Sequence, residues 1–211
     1  MPDEKLIEAV SHAKDDIVFD LVKGKLESDQ DPMRVLDDLT EGMKLLGKRF
    51  ASGEAYIPEV VYGSETFSKA IDMLRPKLGD LVDKRDKKEK VLMATVRGDV
   101  HDIGKGLVAT FLDLAGYEVI DLGHDISNEQ IFEAIERENP DVVGLSALMT
   151  TTMLQQREFI NNLNLKGMRD LVKVVVGGAP ITQGWADQIG ADAFGADALD
   201  GRRKIDTLLG Y

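Results

Sequence analysis

The feature that most constrains the fold is a series of short apolar runs that alternate with helical patterns after residue 90. The runs are nearly continuous in apolar residues, which is typical of strands buried on both faces of a parallel sheet. The predicted strands are Val91–Val96, Tyr117–Leu122, Asp141–Leu148, Lys173–Val176 and Ala193–Phe194. The predicted helices are Leu107–Ala115, one opening with the capping box 127–130, Met153–Leu163, Trp185–Ile189 and Arg202–Leu209. Strands that alternate with helices predict a five-stranded, doubly wound parallel sheet.

Residues 1 to about 80 contain helical patterns and no alternating β-branched run. One apolar stripe at three- and four-residue spacing consists of Leu36, Leu39, Met43, Leu46 and Phe50. Asp31-Pro32 indicates the start of that helix, and Gly53 is predicted to end it. A fourth helix is predicted from about Pro58. Four helices with short connections favour a small antiparallel bundle.

A mixed-charge run without apolar periodicity, residues 83–90, separates the two patterns. Such a run is typical of a solvated linker, and a basic docking patch is the second interpretation. We therefore predict an α + α/β chain in three parts. They are a four-helix bundle over 1–80, a linker over 81–90, and a Rossmann-like, flavodoxin-type domain over 91–211.

The composition limits the classes of partner and chemistry. A formal net charge of −12 disfavours nucleic acid and anionic membranes, because phosphate binding needs a concentrated basic face. The absence of cysteine excludes disulfides, thiolate metal sites and cysteine nucleophiles. With only three histidines, a zinc or iron site built on several imidazoles is not expected. Without a bilayer-spanning apolar run or a secretory signal pattern, a cytoplasmic location is expected.

The turn after the first predicted strand, residues 98–104, carries the candidate chemistry. Its sequence is Gly-Asp-Val-His-Asp-Ile-Gly, and the next helical pattern begins near Leu107. Ligands of α/β sheets bind at the carboxyl ends of strands. A histidine two residues after an aspartate fits a metal ligand with its orienting carboxylate. Taken alone, the same residues also fit a capped turn with a surface histidine.

Small and polar residues also end the third and fourth predicted strands. Ser146-Ala147-Leu148 follows Gly104 after 41 intervening residues, and Gly177-Gly178 follows Leu148 after 28 more. In a doubly wound sheet these ends lie on the same edge as the histidine turn. Singly, each feature also fits a tight turn or, for the threonines at 150–152, a helix cap.

The joint pattern Asp-x-His-x-x-Gly, Ser-x-Leu and Gly-Gly at these distances resembles the signature of cobalamin-binding domains. Its elements are present in order as Asp99, His101, Gly104, Ser146, Leu148, Gly177 and Gly178. The N-terminal bundle resembles the helical cap that precedes this domain in methionine synthase and in corrinoid proteins of anaerobic methyltransferase systems. Residues 53–59 resemble the motif between two helices of that cap, so the resemblance covers nearly the whole chain.

The resemblance implies that the chain binds cobalamin or a related corrinoid. His101 would be the lower cobalt ligand in place of the cofactor's own benzimidazole. Asp99 would accept a hydrogen bond from the other imidazole nitrogen, and Thr152 would be the hydroxyl partner of that carboxylate. The displaced nucleotide tail would enter a slot between strands, where glycines leave room for it. The implied cofactor-binding residues are Gly98, Val100, Asp102, Ile103, Gly104, Ser146, Leu148, Thr150, Gly177, Gly178 and Ala198.

The resemblance further implies that the bundle covers the upper face of the corrin ring. Phe50, Tyr56 and Ile57 would then shield a bound methyl group from water. The other interpretation of these three residues is ordinary packing within the bundle.

The function implied is that of a methyl carrier with no catalytic residue of its own. A donor-specific methyltransferase would load the cofactor, a second methyltransferase would accept the methyl group, and a reductive activating protein is a further expected partner. No nucleic-acid or membrane partner is expected. The alternative function is a cobalamin-dependent sensor or regulator. The sequence does not identify the methyl donor, because specificity lies in the partner.

Overall fold

The computed structural model of the chain describes residues 2–79 and 89–211. The chain divides into two units, Met1–Val82 and Asp83–Tyr211. Of the predicted linker, residues 81–88 lie outside the described residues. In the part of the chain that is described, no helix combines the length and apolarity needed to cross a bilayer.

The first unit is the predicted helical bundle. Its helices are α1 (Glu4–Ser11), α2 (Asp15–Glu27), α3 (Pro32–Ala51) and α4 (Ile57–Gly79). Helix α3 starts as predicted, because the Asp31 carboxylate accepts the N–H of Met33 and Pro32 is the first helical residue. Gly53 adopts a φ of +81° just after this helix, which ends the α-helical path.

One side chain of the predicted apolar stripe on α3 departs from the bundle core. Leu36, Leu39 and Leu46 are buried, whereas Phe50 is 46% exposed. Phe50 lies in the last turn of α3, next to the α3–α4 connection. Periodicity alone places it with the core, and the structure leaves it on the surface.

The second unit is a parallel sheet flanked by helices. Its strands are β1 (Lys90–Thr95), β2 (Glu118–Asp121), β3 (Val142–Ser146), β4 (Lys173–Gly177) and β5 (Ala193–Gly195). Its helices are α5 (Ile103–Leu114), α6 (Asn128–Glu138), α7 (Met153–Leu165), α8 (Gln183–Ile189) and α9 (Ala198–Leu208). The strand order is β2-β1-β3-β4-β5 and all pairs are parallel, which is the flavodoxin-type order. The predicted fold class is confirmed.

Helices cover both faces of this sheet. Leu145 and Val176 pack into a core with residues of α6, α7 and α8. Val142 and Val175 pack into a second core with residues of α5 and α9. Because side chains alternate along a strand, Ser146 and Gly177 belong to the face covered by α5 and α9.

Several predicted boundaries differ from the structure, and two of these differences move site residues from a loop into a helix. Helix α5 begins at Ile103 and not near Leu107, because two glycines in its first turn mask the start by their low helix propensity. Helix α9 begins at Ala198 and not near Arg202, since Asp197 accepts the N–H of Asp200 as N-cap. Strand β3 ends at Ser146, two residues before the predicted Leu148.

Candidate functional site

The candidate site lies where the neighbouring strands β1 and β3 end. The chain leaves β1 toward α5 on one face of the sheet and leaves β3 toward α7 on the other. This divergence opens a crevice at the carboxyl edge of an α/β sheet, where ligands of such folds bind. The turn 98–104 follows β1 and the segment 147–152 follows β3, so both border that crevice.

Asp99 holds the imidazole of His101. Its Oδ1 atom lies 2.7 Å from Nδ1 of His101 and accepts the backbone N–H of the same residue at 3.1 Å. The side chain of Asp99 is fully buried, whereas that of His101 is 48% exposed. The pair therefore consists of a buried carboxylate and an imidazole that reaches solvent.

The other oxygen of Asp99 is held by the segment after β3. Oδ2 accepts the hydroxyl of Thr152 at 2.6 Å and the backbone N–H groups of Leu148 at 2.7 Å and Met149 at 3.4 Å. Burial raises the pKa of Asp99, but the hydrogen bonds from Thr152, Leu148 and His101 outweigh it and lower the pKa to about 2. Asp99 is therefore an ionised acceptor at neutral pH.

The ionised carboxylate fixes which nitrogen of His101 is available. A carboxylate can only accept hydrogen bonds, so the nitrogen facing it, Nδ1, carries the proton in the neutral imidazole. The lone pair then lies on Nε2, which has no hydrogen-bond partner among the described residues. This arrangement presents a half-exposed nitrogen ligand whose orientation is set by a buried group.

The Asp99 carboxylate gives a testable pH dependence of folding. Its folded pKa of about 2 lies below the ordinary value of 3.8, so it stabilises the fold above pH 3.8. That contribution, about 2 kcal/mol, disappears as the pH falls toward 2. Urea unfolding should therefore show that Asp99→Asn is less stable than wild type at pH 7, with the gap narrowing between pH 4 and 2. A gap that stays constant with pH would contradict this assignment.

Sequence reasoning missed the residues that shape the turn. The carboxylate of Asp125 accepts the N–H of Gly98 at 2.7 Å, and the N–H of Asp125 donates to the carbonyl of Asp99 at 2.9 Å. Thr95 donates its hydroxyl to the carbonyl of His101 at 3.2 Å. Sequence analysis could have found Asp125 from its position in the segment after β2, because polar residues that follow a parallel strand lie at the same edge of the sheet as the turn after β1.

Small residues form a row across the strand ends. Thr95, Ser146, Gly177 and Gly195 are successive partners on β1, β3, β4 and β5. A Cβ on Gly104 would meet no heavy atom within 4 Å, so packing alone does not require glycine there. A Cβ on Gly195 would lie 2.8 Å from the Cα of Gly201, so the β5 end of the row is closely packed against α9, whereas the space beside Gly104 is open to a ligand.

Exposed apolar side chains border the same edge. Val100 is 63% and Leu148 is 42% exposed, and Met149 is also exposed. The remaining predicted positions lie at the same edge. Gly98, Asp102 and Thr150 are exposed in the segments after β1 and β3. Ile103 at the start of α5 and Ala198 at the start of α9 are half-buried, and Gly178 follows β4. The structure thus gathers the predicted residues of this domain around the carboxyl ends of the strands.

Phe50, Tyr56 and Ile57 belong to the bundle, where they are exposed. Tyr56 is 71% and Ile57 is 67% exposed, which excludes the interpretation that they pack in the bundle core. Two contacts hold the segment between α3 and α4 in place. Ala55 is buried, and the carboxylate of Glu59 accepts the backbone N–H of Tyr56 at 2.9 Å. The connection thus presents an apolar surface to its surroundings.

Comparisons with known proteins agree with this architecture. Models of two families, each described as a B12 binding domain, match residues 89–202 and residues 3–75. Trimethylamine corrinoid protein 2 of Methanosarcina acetivorans is 39% identical over 210 residues, which cover 96% of this chain and 97% of that protein. The solved monomethylamine corrinoid protein of Methanosarcina barkeri has a TM-score of 0.83 and 32% identity, covering 97% of this chain and 96% of that chain. The methanol:cobalamin methyltransferase complex MtaBC of Methanosarcina barkeri matches with a TM-score of 0.56 and 28% identity, covering 100% of this chain and 82% of that chain.

Proposed function

Since this chain belongs to the family of corrinoid proteins with B12 binding domains, we propose that it is a methyl carrier that holds its corrinoid through His101. The observation that carries the proposal is the Asp99–His101 pair, with a buried carboxylate on Nδ1 and Nε2 directed away from it. The supporting relatives are corrinoid proteins of methylamine systems and a methyltransferase complex.

The residues at the carboxyl edge fit a corrinoid. Nε2 of His101 is a nitrogen donor that suits cobalt, and Asp99 supplies the orienting partner such ligands have. Val100, Leu148 and Met149 offer apolar contacts to the edge of a large ring. The open space beside Gly104 leaves room for a nucleotide tail that has left the metal.

Each residue then has a defined task. His101 would supply the nitrogen ligand to the metal, and Asp99 would keep its imidazole in the required tautomer and orientation. Thr152 and the backbone N–H groups of Leu148 and Met149 keep Asp99 ionised and in place. When bound, the cobalt of the corrinoid supplies a centre that accepts a methyl group and donates it again.

The apolar residues of the bundle have a protective task in this proposal. Phe50, Tyr56 and Ile57 would shield a methyl group on a bound corrinoid from water. Their exposure in the bundle supports this role, because exposed apolar patches mark surfaces that become covered during function. Partner enzymes provide the chemistry: a donor-specific methyltransferase loads the carrier, an acceptor methyltransferase unloads it, and a reductive protein restores it.

Transfer of a labelled methyl group tests the carrier function. The protein is reconstituted with hydroxocobalamin, reduced with titanium(III) citrate and methylated with ¹⁴C-methyl iodide. We expect the label to stay with the protein after gel filtration and to leave it when a methyltransferase of a methylamine system is added with its methyl acceptor. A sensor would retain the label under the same conditions, and that result would overturn the carrier function.

A further inference from the structure

A buried glutamine lies directly behind the candidate crevice. Gln156 of α7 is fully buried, and its amide nitrogen donates to the carbonyls of Leu145 at 3.0 Å and Gly177 at 3.2 Å. Its amide oxygen accepts the indole N–H of Trp185 at 3.1 Å. One side chain therefore connects the ends of β3 and β4 with helix α8.

The two carbonyls belong to the last two residue pairs of β3 and β4, Leu145 with Val176 and Ser146 with Gly177. Ser146 and Gly177 are the final paired residues of these strands, and the N–H of Ala147 also donates to the carbonyl of Gly177 at 3.1 Å. Ser146 and Gly177 belong to the face covered by α5 and α9, whereas Gln156 approaches from the α7 face. The amide of Gln156 therefore holds the ends of β3 and β4 from the α7 face of the sheet. Ser146 and Gly177 of these strand ends belong to the opposite face.

We propose that Gln156 is a positioning residue that sets the spacing of β3 and β4 where the nucleotide tail of a corrinoid enters. The inference rests on the proposed corrinoid binding and extends it to a residue outside the resemblance. Two hydrogen bonds from one rigid amide hold both strand ends at a fixed separation. Trp185 contributes by orienting the amide, because its N–H selects the oxygen and leaves both amide hydrogens for the carbonyls.

The surroundings of Gln156 leave little slack for the strands to adjust. A Cβ on Gly178, the residue after β4, would lie 1.8 Å from the carbonyl oxygen of Ala147 after β3. Without the Gln156 amide the Leu145 carbonyl loses a buried hydrogen bond and the Gly177 carbonyl keeps the one from Ala147, so a small change in the separation of the strand ends is expected. A shift here moves the ends of β3 and β4 first, whereas His101 lies on the turn after β1, which Thr95 and Asp125 also hold.

Affinity for two corrinoids that differ in the nucleotide tail tests the inference. Cobalamin carries the tail and cobinamide lacks it. In Gln156→Met, which keeps the side-chain length and removes the donors, we expect the affinity for cobalamin to fall about tenfold. Affinity for cobinamide should stay within about twofold, because no tail enters the crevice. Titrations of the full chain followed by absorbance give both constants.

The neighbouring glutamine provides a matched control. The side chain of Gln155, on the same helix, donates to the carboxylate of Glu158 at 3.1 Å, so Gln155→Met should leave both affinities unchanged. Equal weakening toward both corrinoids in Gln156→Met, or no weakening, would overturn the inference. If that variant fails to fold, Trp185→Phe decides: a cobalamin-selective loss of about threefold supports the inference, and an unchanged ratio overturns it. Failure of the wild type to bind either corrinoid would overturn the proposed function instead.

Discussion

Replacing His101 with alanine should remove the protein's nitrogen ligand from the cobalt of a bound corrinoid. In wild type, Asp99 directs Nε2 of His101 outward, and the loss of such an orienting partner alone typically weakens metal binding about 10–100-fold. Losing the ligand itself should cost at least as much affinity. We expect the electron paramagnetic resonance spectrum of the cobalt(II) form to lose the splitting that the imidazole nitrogen produces.

Isotope labelling identifies the nitrogen directly. ¹⁵N-histidine should convert the splitting of the wild-type spectrum from a triplet to a doublet, because the two isotopes differ in nuclear spin. His124→Ala is the matched control, since His124 is exposed on the turn after β2. An unchanged spectrum in His101→Ala would show that another nitrogen, such as the cofactor's own benzimidazole, occupies the lower position.

Of the variants proposed for stability measurements, Gly178→Ala should show the largest decrease in the free energy of unfolding. The added Cβ would lie 1.8 Å from the carbonyl oxygen and 2.6 Å from the carbonyl carbon of Ala147, both backbone atoms. The φ of Gly178 is +125°, a conformation that residues with a side chain rarely adopt. Strain and overlap together should lower the free energy of unfolding by about 3–5 kcal/mol. Urea denaturation at pH 7 measures this loss.

Gly190→Ala separates backbone strain from steric overlap. Gly190 also has a positive φ, +76°, but a Cβ there would meet no heavy atom within 4 Å. Its replacement should therefore cost only the conformational penalty, about 1–2 kcal/mol. Similar losses in the two variants would show that β3 and β4 yield easily at their ends, contrary to the tight approach described here.

The architecture was predictable because its main signals are local. Short apolar runs such as residues 91–96, which alternate with helical patterns, favour strands buried on both faces, and residues 1–80 show helical periodicity. Helix starts were less accessible, because Gly104 and Gly106 lower the helical propensity at the beginning of α5. Periodicity placed Phe50 on the apolar stripe of α3 without showing that it lies beyond the buried core, because periodicity shows which face a residue is on and not how far the core extends.

The site was predictable where its chemistry resides in side chains. The spacing of Asp99 and His101 already indicates a ligand and its orienting carboxylate. The backbone N–H groups of Leu148 and Met149 leave no trace in the sequence, since any residue except proline supplies one. Asp125 was missed because its positive φ of 55° and its bonds to the turn arise only from the tertiary fold.

The way the segment after β3 holds Asp99 determines which of its positions can diversify. Leu148 and Met149 contact the carboxylate through the main chain, so their exposed side chains can be exchanged without loosening it. Position 152 has no such latitude, because its hydroxyl is the donor and only serine could replace threonine there. The side chains of Leu148 and Met149 can therefore be replaced, whereas the hydroxyl of residue 152 is required to hold Asp99. In the proposed carrier, substitutions at Leu148 and Met149 would alter the surface offered to a corrinoid or docking partner while their backbone N–H groups continue to hold Asp99.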